Sequence, residues 1–106
     1  MSSFRTVKAE NSVKIIGEDQ LILANRHRLR EAVLGELESG NVMLSIDFTD
    51  TRYVDSSGLS TLSHLAAKVR EAGGSLRLTK LSPDVRIAFT FTKLDELFDL
   101  NEVDAA

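Results

Sequence analysis

Hydrophobic and polar residues alternate with a period of two in several short segments of the chain. Residues 42–48 show this most clearly, because every second side chain is strongly apolar. In a β-strand such alternation places the apolar side chains on one face. Similar but weaker patterns predict strands at 4–9, 12–17 and 75–79, and a last short strand at 96–100.

Three further segments have apolar residues spaced three and four positions apart, which is the period of a helix with one buried face. The pattern predicts helices at 22–38 and 57–71. A third helix is predicted to begin at Ser82 and Pro83 and to continue to residue 91. Serine is a preferred helix cap, and proline is favoured at the first helical position.

The predicted order is strand, strand, helix, strand, helix, strand, helix, strand. Strand–helix–strand units of this length join parallel neighbours through right-handed crossovers, whereas only a short turn separates the first two strands. No internal repeat, linker or low-complexity segment divides the sequence. We therefore expect an α/β fold in one domain, residues 1–106, with a mixed sheet of four to five strands and helices packed mainly on one face.

Composition narrows the class of protein. Of the 106 residues, 42% are hydrophobic and 27% are charged, values that are typical of a globular domain. Cysteine is absent, which excludes disulfides and thiolate metal sites, and no pattern indicates another metal or a cofactor. The net charge of −3 argues against a nucleic-acid partner, and the basic cluster at 26–30 fits a solvated helix face.

Neither a membrane span nor a secretory signal is visible. The longest uninterrupted apolar run, at 21–24, has four residues, and the N-terminus lacks a basic segment followed by a long apolar one. We therefore expect a cytoplasmic protein without membrane association. The charge gives no reason for assembly, which favours a monomer, although the apolar segment 21–23 leaves both core and contact surface open.

Two adjacent serines, Ser56 and Ser57, lie where a loop meets the start of the second predicted helix, between Asp55 and Gly58. Serine and aspartate are preferred helix caps, but one cap needs one oxygen and three candidates stand in a row. A phosphate on Ser56 would add about −1.5 to −2 charge. A helix N-terminus tolerates that charge, whereas a partner with a carboxylate or apolar surface does not.

The second predicted helix also carries a stripe of small and polar residues at spacings of three and four. A merely solvated face would be richer in lysine and glutamate, so this stripe predicts a partner-docking surface. The stripe begins at the serine pair and consists of Ser57, Ser60, Thr61, His64 and Lys68.

The chain contains three motifs in a defined order and spacing: DSSGL at 55–59, a glycine pair at 73–74 before a strand, and TKLDELF at 92–98. Together they resemble the STAS-domain anti-sigma factor antagonists of bacteria, closely over residues 42–100 and in pattern elsewhere. The resemblance implies a STAS domain. It also implies that the unphosphorylated protein binds an anti-sigma factor that is an ATP-dependent serine kinase, and so releases a sigma factor.

The resemblance further implies the residues of the site. The kinase phosphorylates the serine directly after the motif's aspartate, here Ser56 with Ser57 as second candidate, and a PP2C-type serine phosphatase removes the phosphate. Family interfaces use the loop before the second helix, the helix itself and the loop after the second strand. With the polar stripe, the expected partner-binding residues are Asp55, Ser56, Ser57, Gly58, Ser60, Thr61, His64 and Lys68, joined by Asp19 and Leu21 from the segment 18–23.

One segment departs from the family pattern. Many members carry an aspartate three residues after the glycine that follows the second strand, but residues 17–23 read GEDQLIL, so the aspartate is displaced and the loop is apolar. The run LILANR at 21–26 is similar to that of some other members. The departure leaves the fold prediction unchanged and the partner's identity open.

Other functions fit the sequence less well. Ser60 and His64 beside a carboxylate would lack an oxyanion hole and an enclosed pocket, so we expect no enzyme. A receiver-like site at Asp47, Asp50 and Lys80 would lack the acidic pair after the first strand. Phosphate binding at the helix starts would lack a glycine-rich loop. The alternative that stays open is a STAS scaffold or adaptor that serine phosphorylation does not switch.

Overall fold

The architecture is that of a computed structural model, which describes residues 4–93 and Phe98. Within this part of the chain, six strands and three helices form. In chain order they are β1 (Arg5–Lys8), β2 (Val13–Ile16), β3 (Gln20–Leu21), α1 (Arg26–Glu38), β4 (Met43–Asp47), β5 (Tyr53–Val54), α2 (Ser56–Glu71), β6 (Ser75–Thr79) and α3 (Pro83–Phe91).

Four strands form the main sheet in the order β1-β2-β4-β6. β1 is antiparallel to β2, and the turn between them is closed by a 2.8 Å hydrogen bond from the Ala9 amide to the Ser12 carbonyl. β2, β4 and β6 are parallel neighbours, and their register places Ile15, Ile46 and Leu78 side by side in the core. The predicted α/β fold with a mixed sheet is confirmed.

The hydrophobic core lies between one face of this sheet and the helices. α2 contributes Leu62, Leu65 and Val69, which have no exposed surface. On the opposite face of the sheet, Lys14 and Arg77 are exposed, as period-two alternation requires. The helices therefore cover mainly one face, as expected.

Three phenylalanines attach α3 to the rest of the core. The rings of Phe48 and Phe89 meet edge to face with centroids 6.5 Å apart, and those of Phe89 and Phe98 do the same at 6.1 Å. Edge-to-face pairs are a preferred geometry for aromatic rings. This packing fixes the position of α3 relative to the end of β4.

The predicted start of the first helix at residue 22 is wrong, because α1 begins at Arg26. The side chain of Asn25 holds the preceding residues in a turn instead. Its Oδ1 accepts a 2.8 Å hydrogen bond from the Ile22 amide, and its Nδ2 donates a 2.7 Å bond to the Gln20 carbonyl. An asparagine that binds nearby backbone in this way competes with helix formation.

A second, two-stranded sheet was not predicted. β3 and β5 pair in parallel, Gln20 with Tyr53 and Leu21 with Val54. Strands of two residues are too short to show alternation, so the sequence carried no signal for them. The predicted last strand is wrong at Phe98, whose backbone is helical, and the rest of 96–100 lies outside the described residues.

Candidate functional site

Asp55 caps the start of α2, so neither serine of the pair does. Its backbone is extended, its Oδ1 accepts a 2.8 Å hydrogen bond from the Gly58 amide, and its carbonyl accepts a 3.0 Å bond from the Leu59 amide. One side-chain oxygen satisfies the cap. Of the three candidates for the cap, Asp55 is therefore the one that fills this role.

The same aspartate connects α2 to the segment after the second strand. Its Oδ2 accepts a 3.1 Å hydrogen bond from the Leu23 amide, and its own amide donates a 3.1 Å bond to the Leu21 carbonyl. The Arg52 amide donates to the Asp19 carbonyl at 2.8 Å. The structure thus brings together two segments that the resemblance implied as partner-binding. Asp19 is exposed there, whereas Leu21 is 2% exposed and belongs to the core rather than to a contact surface.

A buried polar cluster stabilises the loop that is hydrogen-bonded to Asp55. Glu18 is 8% exposed, and its Oε1 accepts hydrogen bonds of 3.1 Å from Asn25 Nδ2 and from Arg28 Nη2. The carboxylate is thereby paired with a cation and a second donor, which buried charges require. Because Asn25 also holds the turn at Ile22, the cluster fixes the loop that carries Leu23.

The two serines differ in their surroundings. Ser56, the first residue of α2, is exposed, and its hydroxyl forms no hydrogen bond with the described part of the chain. Ser57 is half-buried, and its carbonyl accepts a 2.9 Å hydrogen bond from the Thr61 hydroxyl. Of the pair, the hydroxyl of Ser56 is the more accessible to another protein.

Burial shortens the predicted polar stripe on α2. Thr61 is only 7% exposed, and its hydroxyl is bonded within the helix, so it does not lie on the exposed face of α2. Ser60, His64 and Lys68 are exposed, as predicted. The predicted stripe included Thr61 because residues three or four positions apart lie on the same side of a helix. That spacing does not define the edge of the exposed face to within one residue.

Gly58 is buried against the protein's own backbone rather than open to a partner. A Cβ atom added there would lie 2.9 Å from both Leu21 Cγ and Val54 Cγ1, and closer still to the Leu21 carbonyl oxygen. Only glycine lets the first turn of α2 approach β3 so closely. Gly58, expected among the partner-binding residues, is therefore occupied by this internal contact.

A shallow groove of about 460 Å³ begins at Ser56 and follows α2 to His64. Thr92, directly after α3, forms its other side. The contributions of Leu59, Ser63 and Thr92 could not be predicted from the sequence, because the groove forms between α2 and the end of α3. Among the described residues, those that line it are Ser56, Leu59, Ser60, Ser63, His64 and Thr92.

The pKa of Asp47, at the end of β4, is clearly displaced. Burial alone would raise the pKa of Asp47, but the hydroxyl and amide of Thr49 donate to its Oδ1, and the charges of Lys80 and Lys14 act in the same direction. The net result is a pKa below the ordinary value. Its ionised carboxylate holds the turn after β4.

Ser60 and His64 both line this open groove. Among the described residues, no group of three or more His, Asp or Glu side chains is placed to hold a metal ion. Within the same part of the chain, no helix is long and apolar enough to cross a membrane.

The chain belongs to the STAS domain family, whose model matches residues 6–105. This confirms the resemblance indicated by the DSSGL motif and its neighbours. The sequence is 29% identical, over 92 residues, to the anti-sigma-B factor antagonist of Bacillus subtilis (strain 168), and the match covers 87% of this chain and 84% of that protein.

Two solved structures of related proteins have the same fold. A Thermotoga maritima protein assigned as an anti-sigma factor antagonist superimposes with a TM-score of 0.83 at 20% identity, covering 94% of this chain and 93% of that one. The phosphorylated form of the Bacillus cell fate determinant SpoIIAA gives a TM-score of 0.70 at 20% identity, covering 89% and 86%.

Proposed function

We propose that this protein is an anti-sigma factor antagonist that works by partner switching. In its unphosphorylated form it binds an anti-sigma factor that is also a serine kinase, and a sigma factor is released. Phosphorylation of Ser56 by that kinase blocks binding, and a PP2C-type serine phosphatase restores it. The protein has no catalytic activity of its own and acts in the cytoplasm as a monomer.

The observation that carries this proposal is that Asp55 caps α2 while the neighbouring Ser56 is exposed. Asp55 supplies the helix cap, so the exposed hydroxyl of Ser56 can be modified without removing a hydrogen bond that the fold needs. A phosphate at the first position of α2 also lies at the positive end of the helix dipole. Modification therefore leaves the domain folded.

The same position makes the phosphate incompatible with a bound partner. Ser56 opens onto the groove that Ser60 and His64 line, so a partner covering the groove would have to bury the phosphate. Burying an unpaired charge costs several kcal/mol, enough to reduce affinity by orders of magnitude. The adjacent carboxylate of Asp55 adds charge of the same sign. The names of the Bacillus relatives support this assignment.

The proposal is tested by calorimetric titration against each purified serine-kinase anti-sigma factor of the source organism. The unmodified protein is expected to bind one of them, and Ser56→Asp is expected to weaken binding by at least about tenfold and by more than Ser56→Ala does. Ser12→Asp is the matched control, because it adds the same charge at an exposed serine that lines a different groove.

Two results would contradict the proposal. If Ser56→Asp binds as tightly as the unmodified protein, a charge at Ser56 does not act as the switch. If the kinase binds but mass spectrometry finds no phosphate on Ser56 after incubation with ATP, the scaffold alternative is correct.

A further inference from the structure

The exposed polar residues of α2 do not by themselves form a sufficient interface. Stable protein interfaces bury about 800 Å² on each partner and depend on a few large apolar or aromatic side chains near their centre. The exposed side chains of α2 are all short or polar, among them Ser56, Ser60, His64 and Lys68. Apolar contacts must therefore come from neighbouring elements.

Phe91, the last residue of α3, is the most exposed large hydrophobic side chain in the described part of the chain, at 84%. α3 buries Val85 and Phe89, and a spacing of 100° per residue carries Phe91 away from that buried side. Ile87, one turn earlier, is 53% exposed. The folded monomer gains little from an aromatic ring in this position.

Phe91 lies at the end of α3, which borders the groove at Ser56. The next residue, Thr92, lines that groove opposite α2, and its hydroxyl donates to the carbonyls of Ala88 at 3.0 Å and Phe89 at 3.2 Å. Because the Phe89 ring is fixed in the core, the end of α3 has a defined position beside the groove.

A second exposed apolar residue lies in the loop before α1, which is hydrogen-bonded to the residue that precedes Ser56. Leu23 is 61% exposed, and its amide is held by Asp55 Oδ2, next to the serine in sequence. The two elements that adjoin Ser56 and the groove, this loop and α3, thus each carry an exposed hydrophobic side chain. Interfaces with a polar switch residue among apolar anchors are disrupted by a single added charge.

We infer that Phe91 is the aromatic anchor of the docking surface and that it inserts into an apolar pocket of the anti-sigma factor that covers Ser56. This inference rests on the proposed function and extends its binding site from α2 onto α3. One protein then contacts Leu23, the groove and Phe91 together, with the phosphorylatable hydroxyl inside the contact.

The test compares Phe91→Gln with Met43→Gln in the same titrations. Both substitutions replace an exposed apolar side chain by a polar one, but Met43 is 47% exposed and lines a different groove, with Ser12. Phe91→Gln is expected to weaken kinase binding by roughly tenfold or more, with an unchanged circular dichroism spectrum, while Met43→Gln binds like the unmodified protein.

The failure of this inference is distinguishable from that of the proposed function. If Ser56→Asp abolishes binding but Phe91→Gln does not, the partner-switching proposal holds and the α3 anchor is wrong. Equal losses in Phe91→Gln and Met43→Gln also overturn the inference. Sedimentation velocity gives a further test. If the unmodified protein is a dimer and Phe91→Gln dissociates it, Phe91 contacts a second copy of the chain and the inference is wrong. If no kinase binds the unmodified protein, both proposals fail.

Discussion

Gly58 lies in the first turn of α2, where any side chain would collide with the neighbouring strand. An added Cβ atom would be 2.9 Å from carbon atoms of Leu21 and Val54, whereas carbon atoms pack best at about 3.5–4.0 Å. The Leu21 carbonyl, which would be closer still, is backbone and accepts a hydrogen bond from the Asp55 amide. The strand therefore cannot retreat without breaking its connection to α2.

The effect of Gly58→Ala follows from two opposing contributions to the free energy of unfolding. Overpacking a well-filled core costs about 1–3 kcal/mol, and alanine's higher helix propensity offsets about 1 kcal/mol of that cost. Because the collision is with backbone as well as side chains, we expect a net loss of about 1–2 kcal/mol. For a domain of this size the loss lowers the Tm by about 5–15 °C.

Gly35→Ala is the matched control, because Gly35 is also a helical glycine but a Cβ atom there would meet nothing within 4 Å. We expect this substitution to raise stability by about 0.5–1 kcal/mol through helix propensity alone. The measurement is urea unfolding followed by circular dichroism. If Gly58→Ala is as stabilising as Gly35→Ala, the close contact between α2 and β3 is not what requires glycine.

Two further predictions concern the carboxylates around the site. Asp55→Ala removes both the cap of α2 and the bond to the Leu23 amide, so we expect the free energy of unfolding, measured by thermal unfolding, to fall by about 1–2 kcal/mol. Ser56→Ala is expected to change it by at most about 0.5 kcal/mol. Equal losses in the two variants would contradict the assignment of Asp55 as the cap. Asp47 has a lowered pKa in the folded state, so its contribution to stability is complete above the unfolded value of 3.8 and is lost as the pH falls through the folded pKa. Asp47→Asn should therefore reduce the dependence of unfolding free energy on pH below 4, and an unchanged acid dependence would refute this role.

The residue that we propose as the switch could be identified from local sequence. Ser56 follows Asp55 at the start of a helical period, and the DSSGL motif indicated a family that the match over residues 6–105 confirms. Which oxygen caps the helix was not identifiable, because Asp55, Ser56 and Ser57 are all chemically suitable. The choice depends on which residue has an extended backbone, and the pairing of β5 with β3 sets that conformation.

Other parts of the site depend on contacts between residues far apart in sequence. The roles of Thr61 and Gly58 changed from partner contact to internal packing once their neighbours were known. The exposure of Phe91 follows from the helical period of α3, since Val85 and Phe89 occupy the buried side. Its position beside Ser56 does not, because α2 and α3 are joined through the core.

The sequence by itself determined the strand and helix periods, the α/β order and the position of the serine pair at the start of a helix, because each depends on residues within a few positions of one another. Only the tertiary structure decided that Asp55 joins two segments, that Gly58 must lack a side chain, and that α3 completes the groove at Ser56. These features arise from packing and hydrogen bonds across more than thirty residues, such as the bond from the Leu23 amide to Asp55. Local periodicity carries no information about such contacts, since they form only when the sheet and its helices come together.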